Sequence, residues 1–343
     1  MYNFHKDFQL NNNSFKNIDE LLFYAKNLSS EIDDFLRNWF SSQPFIVIQT
    51  SGSTGAPKLI RIKKEFMVNS ALSTGSYLNL SAKTSALLCL STTYIAGKMM
   101  LVRALTLGWH LDVGTANSNP LENNFKRYDF SAMVPLQVEK TLNSLHRIKK
   151  IIVGGGVVSQ VLQNKLQSIS TEVYATYGMT ETVSHIAIKK LNQISIKPNF
   201  YEVLPNIKIF IDARNCLVVN AKNVSEEIIF TNDVVQLISD TQFEWLGRFD
   251  NIINSGGIKL QPEKIEKILA KIIENRFFVA GIPDPQFGEK LILVVEGKKK
   301  KLHIKESKLL SKFETPKEIY FINNFIETET KKIQRKKTLD LIL

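Results

Sequence analysis

Residues 50–58 read TSGSTGAPK, a segment too rich in glycine, serine, threonine and proline to form a helix or a strand. Short apolar strands are predicted on both sides of it, at residues 45–48 and 59–63, so the segment is a loop that joins two strands. Its glycines let backbone N–H groups approach an anion, its hydroxyl groups can donate to phosphate oxygens, and Lys58 adds a positive charge. The loop therefore predicts a phosphate-binding site, with a plain hairpin turn as the alternative.

Two later segments repeat the pattern of a strand followed by a loop. Residues 151–153 form an apolar strand that leads into three glycines at 154–156, and residues 172–176 form a strand that leads into YGMTET at 177–182. Strands that alternate with amphipathic stretches indicate an α/β core, in which ligands collect at the carboxyl ends of the strands. Both loops are therefore candidate ligand-binding segments.

The remaining pattern predicts helices at both ends of the chain and short strands between them. Apolar residues at helical spacing predict a helix over residues 18–39, with Asn17 and Glu20 as a capping box. Another helix begins at Pro262 and follows a turn at residues 254–257. Further strands are expected at residues 208–211, 216–219, 234–238 and 291–295. We place a domain boundary near Asp250, which gives domains 1–250 and 251–343.

Composition limits the class of protein. The chain has 343 residues, of which 44% are hydrophobic and 22% charged, and its formal net charge is +11. No apolar run approaches the ~20 residues that span a bilayer, and the first ten residues contain no signal-peptide core. The two cysteines are too far apart in sequence for a CxxC metal site and too few for a disulfide framework. These features predict a soluble, cytoplasmic protein with no membrane insertion.

The basic excess is concentrated at the C-terminus. From Lys298 onward the chain carries 13 Lys and Arg against 6 Asp and Glu, a net +7. Such a segment can bind nucleic acid, a membrane surface or a phosphorylated small ligand, and it can also be a solvated surface. The sequence contains no P-loop, dinucleotide, HExxH or GxSxG motif, and its five histidines are scattered, which argues against a zinc site.

Five motifs stand in the order that is typical of the adenylate-forming superfamily of acyl-CoA and aryl-CoA ligases, luciferases and peptide-synthetase adenylation domains. TSGSTGAPK resembles its phosphate loop, and YGMTET resembles its adenine and magnesium motif. Residues 247–266, 279–289 and 328–335 are similar to its ribose and hinge motif, its C-terminal-domain motif and its final motif. The resemblance implies a large N-terminal α/β domain of mixed sheets and helices, with a shortened first subdomain, and a small mobile α+β C-terminal domain.

The resemblance also implies how ATP and Mg²⁺ are bound. Glu181 would hold Mg²⁺ through oxygen, and Thr180 would contact the α-phosphate. Asp233 and Arg248 would contact the ribose, and Tyr177 would stack on adenine against a flat glycine wall. The full set of implied ATP-binding residues is Thr50, Ser51, Gly52, Ser53, Thr54, Gly55, Lys58, Gly155, Gly156, Tyr177, Asp233 and Arg248.

A lysine and a hinge complete the machinery that the family pattern implies. Attack of a carboxylate on the α-phosphorus of ATP needs cations that neutralise the repulsion between two anions. Lys332 would supply one in a first pose, although Lys331 occupies the family's glycine position and leaves both lysines as candidates. Rotation about Asp250 would then open a channel for coenzyme A beside Gly256 and Gly257.

The short N-terminus resembles the compact o-succinylbenzoate–CoA ligases of menaquinone synthesis, since only 49 residues precede the phosphate loop. In residues 90–105, LSTTYIAGKMMLVRAL, Tyr94 stands at a position where the superfamily has histidine, and the resemblance makes it a candidate substrate-binding residue. Arg103 falls where these ligases carry a basic residue for the second carboxylate of the substrate, or else it is a surface helix residue. His185 either lines the acyl pocket or is a structural histidine.

Three functions follow from these patterns. The first is an o-succinylbenzoate–CoA ligase that uses ATP, Mg²⁺ and coenzyme A. The second is another aryl- or acyl-CoA ligase, or a freestanding adenylation domain. The third is a basic nucleic-acid-binding protein, for which the sequence offers neither a recognition helix nor interleaved aromatic residues. We therefore expect small-molecule substrates and no nucleic acid, and the sequence leaves the oligomeric state open.

Overall fold

The computed structural model describes residues 3–49, 59–194, 200–304, 309–328 and 333–342. They form two compact units. The first contains the described residues up to 208 together with 220–229, and the second contains residues 209–219 and the described residues from 230 onward. The boundary predicted near Asp250 marks the hinge of an expected rotation of the C-terminal domain. The division into two compact units is a different property, so this boundary stays a prediction.

The first unit is a mixed α/β structure. Its strands are β1 (Gln9–Leu10), β2 (Phe45–Gln49), β3 (Leu59–Lys63), β4 (Ser85–Leu88), β5 (His110–Val113), β6 (Tyr128–Met133), β7 (Ile148–Val153), β8 (Glu172–Gly178), β9 (His185–Lys190) and β10 (Tyr201–Val203). Its helices are α1 (Ile18–Leu28), α2 (Ser30–Phe40), α3 (Lys64–Leu78), α4 (Ile95–Leu107), α5 (Pro135–Thr141) and α6 (Gln160–Lys165).

Most of these strands form one sheet with the order β1-β5-β4-β6-β7-β8-β9-β10. The pairings from β1 through β8 are parallel, and those of β9 with β8 and with β10 are antiparallel. Strands β2 and β3 form a separate antiparallel ribbon, in which Gln49 pairs with Leu59. The predicted strands on both sides of TSGSTGAPK and the strands that precede the two later loops are confirmed.

The helix predicted over residues 18–39 is wrong at one point, because the structure divides it into α1 and α2 at Ser29. Ser29 has an extended backbone, and its hydroxyl oxygen accepts a hydrogen bond from the N–H of Ile32, so it caps the second helix. At the start of α1, Asn17 accepts from the N–H of Glu20 as predicted, while the Glu20 carboxylate accepts from Lys16. The apolar spacing continues through the break because both helices bury one face.

The second unit is mostly β. Its strands are β11 (Lys208–Ile211), β12 (Cys216–Asn220), β13 (Ile229–Ser239), β14 (Gln242–Arg248), β15 (Ile253–Ser255), β16 (Ile258–Leu260), β17 (Phe277–Asp284), β18 (Gly288–Glu296) and β19 (Glu318–Ile322), and its helices are α7 (Pro262–Leu269) and α8 (Arg335–Leu339). Strands β11 to β14 are arranged in the order β14-β13-β12-β11, and β15 to β19 form a second sheet in which β18 pairs with both β17 and β19.

Strand β18 is buried on both faces, which explains its unbroken apolar run. Leu291, Leu293 and Val295 pack in one cluster with α7, and Ile292 and Val294 pack in another with Phe325 and residues near α8.

No helix in the described ranges is both long enough and apolar enough to span a membrane. Both cysteines are buried free thiols.

Candidate active site

Two expected site segments lie outside the described residues. They contain Thr50, Ser51, Gly52, Ser53, Thr54, Gly55 and Lys58 of the phosphate loop, and Lys331 and Lys332 of the final motif. The described residues on either side of each segment are paired, since Gln49 stands opposite Leu59 and Glu327 forms a bridge with Ile333. Their proposed roles therefore rest on the sequence pattern.

The parallel strands β7 and β8 bring the glycine wall and Tyr177 to the same edge of the sheet. Val153, the last residue of β7, pairs with Ala175, so Gly155 and Gly156 leave the sheet near Tyr177 and Gly178, the last two residues of β8. Gly155 has a φ of +78°, a backbone conformation that favours glycine. Tyr177 is half-buried and its ring centroid lies 6.0 Å from that of Tyr201. This edge presents an open glycine backbone beside an aromatic ring.

A tight turn follows β8 and carries the expected magnesium motif. Thr180–Thr182 form a 3₁₀ helix in which the buried Thr182 hydroxyl oxygen accepts from Met179 N–H at 3.0 Å. By contrast, the Thr180 and Glu181 side chains make no hydrogen bond or ion pair with any described residue, and Glu181 is exposed. Their oxygens are therefore available to a ligand, and a free carboxylate is a suitable donor for Mg²⁺.

Val183 closes this turn in a conformation that is unusual for a β-branched residue. Its φ is +66° and its ψ is −54°, and the N–H of Ser184 donates to the carbonyl oxygen of Thr182 at 2.7 Å. These values describe a γ-turn of the rare, strained kind. Gly178 permits the close return of the chain, since a Cβ at that position would overlap the carbonyl oxygen of Ser184. The turn thus fixes the positions of Ser184 and His185, which are three and four residues after Glu181.

The Arg103 side chain is buried, with 1% exposed, so its assignment as a surface helix residue is wrong. Its Nε donates to Thr74 Oγ1 at 3.4 Å and its Nη2 donates to Ser184 Oγ at 2.8 Å. Among the described residues no carboxylate lies within 4 Å of the guanidinium. Burial lowers the pKa of Arg103 to about 10, so the side chain still carries its charge at pH 7. The first unit therefore contains a buried cation that has no acidic partner among the residues the structure describes.

His185 is buried in contact with the same polar groups as Arg103. Its Nε2 lies 3.4 Å from Thr74 Oγ1, and its Nδ1 lies 3.4 Å from Ser184 Oγ. Burial, and then the charge of Arg103, lowers the pKa of His185 to about 3, so the imidazole is neutral at pH 7. Thr74 and Ser184 were missed in the sequence, because neither belongs to a motif and Thr74 is far from its partners along the chain.

Tyr94 is not close to Arg103. It occupies the N-cap of α4, nine residues before Arg103, which corresponds to about 13 Å along a helix axis. Gly97 is required in this helix because a Cβ there would overlap the Ser91 carbonyl. Near the same end, Lys98 donates to the carbonyl oxygens of Thr92 and Thr93. Tyr94 and Arg103 therefore lie in different environments along α4, and the structure does not bring them together.

In the second unit, the expected ribose and hinge residues form one cluster. Asp233 stands opposite Arg248 across β13 and β14, with Oδ1 3.9 Å from Nη1. The indole N–H of Trp245 donates to Asp233 at 3.0 Å, and Arg248 Nη2 donates to Asp250 at 2.6 Å. Asp233 is buried and Asp250 is exposed. One guanidinium therefore faces both carboxylates.

Arg214 is a further residue near this cluster that the sequence patterns did not indicate. It donates to Asn232 Oδ1 at 2.8 Å and to the Thr231 carbonyl oxygen at 3.0 Å, and its guanidinium carbon lies 5.3 Å from the centroid of the Phe249 ring. A cavity of about 410 Å³ is lined by Arg214, Val234 and Phe249. Gly256 and Gly257, the candidates for coenzyme A, form the turn between β15 and β16 with φ values of +58° and +80°.

Comparison with known proteins identifies relatives with the same architecture. A family model described as AMP-binding enzyme matches residues 11–221, which is more than half of the chain. The crystal structure of an acyl-CoA synthetase (AMP-forming)/AMP-acid ligase II-like protein from Dyadobacter fermentans is 36% identical, with a TM-score of 0.62, and the match covers 92% of this chain and 95% of that one.

Two further relatives are more distant. The 2-succinylbenzoate–CoA ligase of Escherichia coli is 24% identical over 264 residues, which cover 72% of this chain. The match covers only 57% of the length of that ligase. The structure of Bacillus subtilis o-succinylbenzoate coenzyme A synthetase (MenE), in complex with ATP and magnesium ion, is 20% identical with a TM-score of 0.74 and covers 86% of this chain and 69% of that one. This last likeness shows the fold.

Proposed function

Because the chain belongs to the AMP-binding enzyme family, we propose that it is an ATP-dependent acid–CoA ligase whose acid is o-succinylbenzoate. The reaction has two steps. The acid carboxylate attacks the α-phosphorus of ATP and releases pyrophosphate, and the sulfur of coenzyme A then attacks the acyl-adenylate carbonyl and releases AMP. The proposed place of this reaction is menaquinone synthesis in the cytoplasm.

The buried Arg103 is the observation that carries the choice of acid. A buried guanidinium is costly unless an anion compensates it, and no described residue supplies one within 4 Å. A carboxylate can accept two parallel N–H bonds from a guanidinium, which is the strongest geometry for such a pair. o-Succinylbenzoate has a second carboxylate, besides the one that is activated, and this group would fill the position beside Arg103.

The proposed roles in ATP binding follow from the motifs, and the side chains of Thr180 and Glu181 support them because they are available to bind a ligand. The Thr180 and Glu181 side chains make no hydrogen bond or ion pair with described residues, so they can contact the α-phosphate and Mg²⁺. Bound Mg²⁺ would neutralise part of the phosphate charge. Asp233 would accept hydrogen bonds from the ribose hydroxyls, with Arg248 beside it.

The glycine wall and the lysine complete the proposed site. Gly155, Gly156 and Tyr177 would enclose the adenine, because the glycine backbone is flat and the tyrosine ring can stack. The phosphate loop would bind the β- and γ-phosphates, and Lys332 would bridge the attacking carboxylate and the α-phosphate. The hinge at Asp250 would then exchange Lys332 for the coenzyme A channel beside Gly256 and Gly257.

Pyrophosphate release, measured over a panel of carboxylic acids with and without coenzyme A, tests this function. We expect release with o-succinylbenzoate and Mg-ATP, and mass spectrometry should identify the acyl-adenylate and, after coenzyme A is added, the thioester. Activity confined to fatty acids or amino acids would overturn the substrate while keeping the reaction class. Adenylate formation with transfer to a carrier protein and none to coenzyme A would make the chain an adenylation domain.

A further inference from the structure

The polar groups around Arg103 form a network whose hydrogen-bond directions can be assigned. The Thr74 hydroxyl donates to the carbonyl oxygen of Ser70 at 2.9 Å, so towards its other neighbours Thr74 can only accept. Arg103 Nε–H donates to that oxygen, because a guanidinium has no acceptor. His185 Nε2 also faces Thr74 and must therefore carry a proton in order to bond to it.

The other side of the imidazole gives the same tautomer. Ser184 Oγ accepts from Arg103 Nη2 at 2.8 Å, so its own hydrogen is available for His185 Nδ1. This bond needs an unprotonated Nδ1. In the opposite tautomer Nδ1 of His185 would carry the proton, so the Ser184 hydroxyl hydrogen would have no acceptor within this network. The unprotonated Nε2 would then face the Thr74 oxygen, whose own hydrogen is already donated to Ser70. One neutral form of His185, protonated at Nε2, thus satisfies the network.

The network leaves part of Arg103 available. A guanidinium has five N–H groups. One donates to Thr74, one donates to Ser184, and one points to the Met100 sulfur, which is a weak acceptor at 3.8 Å. The two that remain have no acceptor among the described residues, and two N–H groups are what a carboxylate needs for a bidentate pair.

From this geometry we propose that Thr74 and Ser184 are positioning residues, which hold the guanidinium of Arg103 in the orientation that presents two N–H groups to the second carboxylate of the acid. Thr74 is completely buried in α3, and Ser184 is held by the γ-turn at Val183. The identity of the acid rests on the proposed function, whereas the network itself involves this chain alone.

Thr74→Val tests the proposal, because valine keeps the shape of threonine and removes the oxygen on which Arg103 and His185 converge. We expect the KM for o-succinylbenzoate to rise about ten-fold or more, with the KM for ATP unchanged, and Thr74→Ser to restore the parent value. Ser184→Ala should raise the same KM. Thr141→Val is the matched control, because Thr141 is a buried helical threonine with the same bond to the carbonyl four residues earlier.

An analogue of the substrate separates positioning from a general structural role. In 4-oxo-4-phenylbutanoate the benzoate carboxylate is absent, so the Thr74→Val and Ser184→Ala variants should have the same KM for it as the parent. An equal rise for both acids would show that the variants only disturb the fold and would overturn the proposal, as would an unchanged KM for o-succinylbenzoate. Thermal unfolding confirms that each variant is folded, and Ser184→Ala decides the question if Thr74→Val is not.

The tautomer of His185 provides a measurement that needs no substrate. Imidazole ¹⁵N NMR at pH 7 should show His185 protonated at Nε2 in the parent, with Thr74→Val changing its signals and Thr141→Val leaving them as they are. A charged ring or an Nδ1–H tautomer in the parent would overturn the network. If the parent adenylates no o-succinylbenzoate, the proposed function fails, and this spectrum still tests the arrangement of Thr74, Ser184 and Arg103.

Discussion

Arg248 lies directly opposite Asp233 in the β13–β14 ladder, with its Nη1 3.9 Å from Asp233 Oδ1, and its Nη2 donates to Asp250 at 2.6 Å. The carboxylate proposed to bind ribose and the carboxylate proposed as the hinge therefore share one guanidinium. A change at Asp250 will alter the charge environment of Asp233 through Arg248. Asp233, proposed to bind ribose in the first step, and Asp250, proposed as the hinge for the second step, are thus expected to influence each other.

The two half-reactions should respond differently to variants at the lysine and at the hinge. Lys332→Ala should nearly abolish acyl-adenylate formation, while transfer from supplied acyl-adenylate to coenzyme A survives, because the lysine is proposed to act only in the first step. Asp250→Pro should do the reverse, because proline fixes φ near −65° and stiffens the hinge. Single-turnover assays of each step measure both effects.

The outcome also identifies the lysine. Retained adenylation in Lys332→Ala together with its loss in Lys331→Ala would assign the role to Lys331. Equal loss of both steps in Lys332→Ala and Asp250→Pro, with folding intact by circular dichroism, would leave the two-pose mechanism unsupported in this chain.

Arg103→Ala should weaken binding of o-succinylbenzoate by about 2–4 kcal/mol, because a charge-assisted pair with a desolvated carboxylate is lost. Binding of ATP should hardly change. Isothermal titration of the acid and of ATP separately measures the two effects. An unchanged affinity for the acid would remove Arg103 from the acid site.

His185 should make the stability of the protein depend on pH. Its pKa is lowered from 6.5 to about 3 in the folded state, so the unfolded chain binds the proton first. The contribution of the neutral histidine is complete above pH 6.5 and is lost as pH falls towards 3, with about 2 kcal/mol lost between pH 7 and pH 5. Urea unfolding of the parent and of His185→Gln at both pH values isolates this term, and parallel pH profiles would contradict it.

Arg335 should stabilise the last helix through Glu266, whose carboxylate lies 2.9 Å away. Burial raises the pKa of Glu266 and Arg335 opposes that effect, so removal of the arginine leaves a poorly solvated acid. We expect Arg335→Met to lower the free energy of unfolding by about 2 kcal/mol at pH 7. The double variant Arg335→Met with Glu266→Gln should recover most of this loss, and no recovery would mean that the packing of Arg335 matters more than its charge.

Gly178→Ala should destabilise the first unit by about 2 kcal/mol or more, because its Cβ would overlap the Ser184 carbonyl oxygen. Gly156→Ala is the control for stability, since its Cβ would have no neighbour closer than 3.7 Å. Chemical denaturation measures both variants. Equal stability of the two would mean that the turn after β8 can relax.

The sequence predicted the strands and loops of the candidate site better than its interior. Glycine, proline and short apolar runs determine local structure, so the loops after β7 and β8 were found, although β8 continues to Gly178, two residues beyond its predicted end. The division at Ser29 was missed because two helices that bury the same face preserve one apolar spacing. A single N-cap residue, Ser29, determines where the second helix begins.

The environment of Arg103 depends on contacts that are distant in sequence. Thr74 and Ser184 come from α3 and from the turn after β8, and a single sequence does not show that these elements meet. One local signal was present, since the segment IAGKMMLVRALTL of α4 is apolar on nearly all sides, as expected for a helix that is enclosed. That pattern predicts a buried arginine.

The γ-turn at Val183 has a consequence for how acid selectivity could be redesigned. Glu181 and Ser184 are separated by only two residues, one of which, Val183, is buried and strained. Substitutions in the turn would therefore disturb the proposed Mg²⁺ site and the proposed acid site together. Thr74 and Arg103 contact the residues that follow this turn but belong to the separate helices α3 and α4. A library that varies these helices would therefore change the proposed acid site without altering the residues proposed to bind ATP.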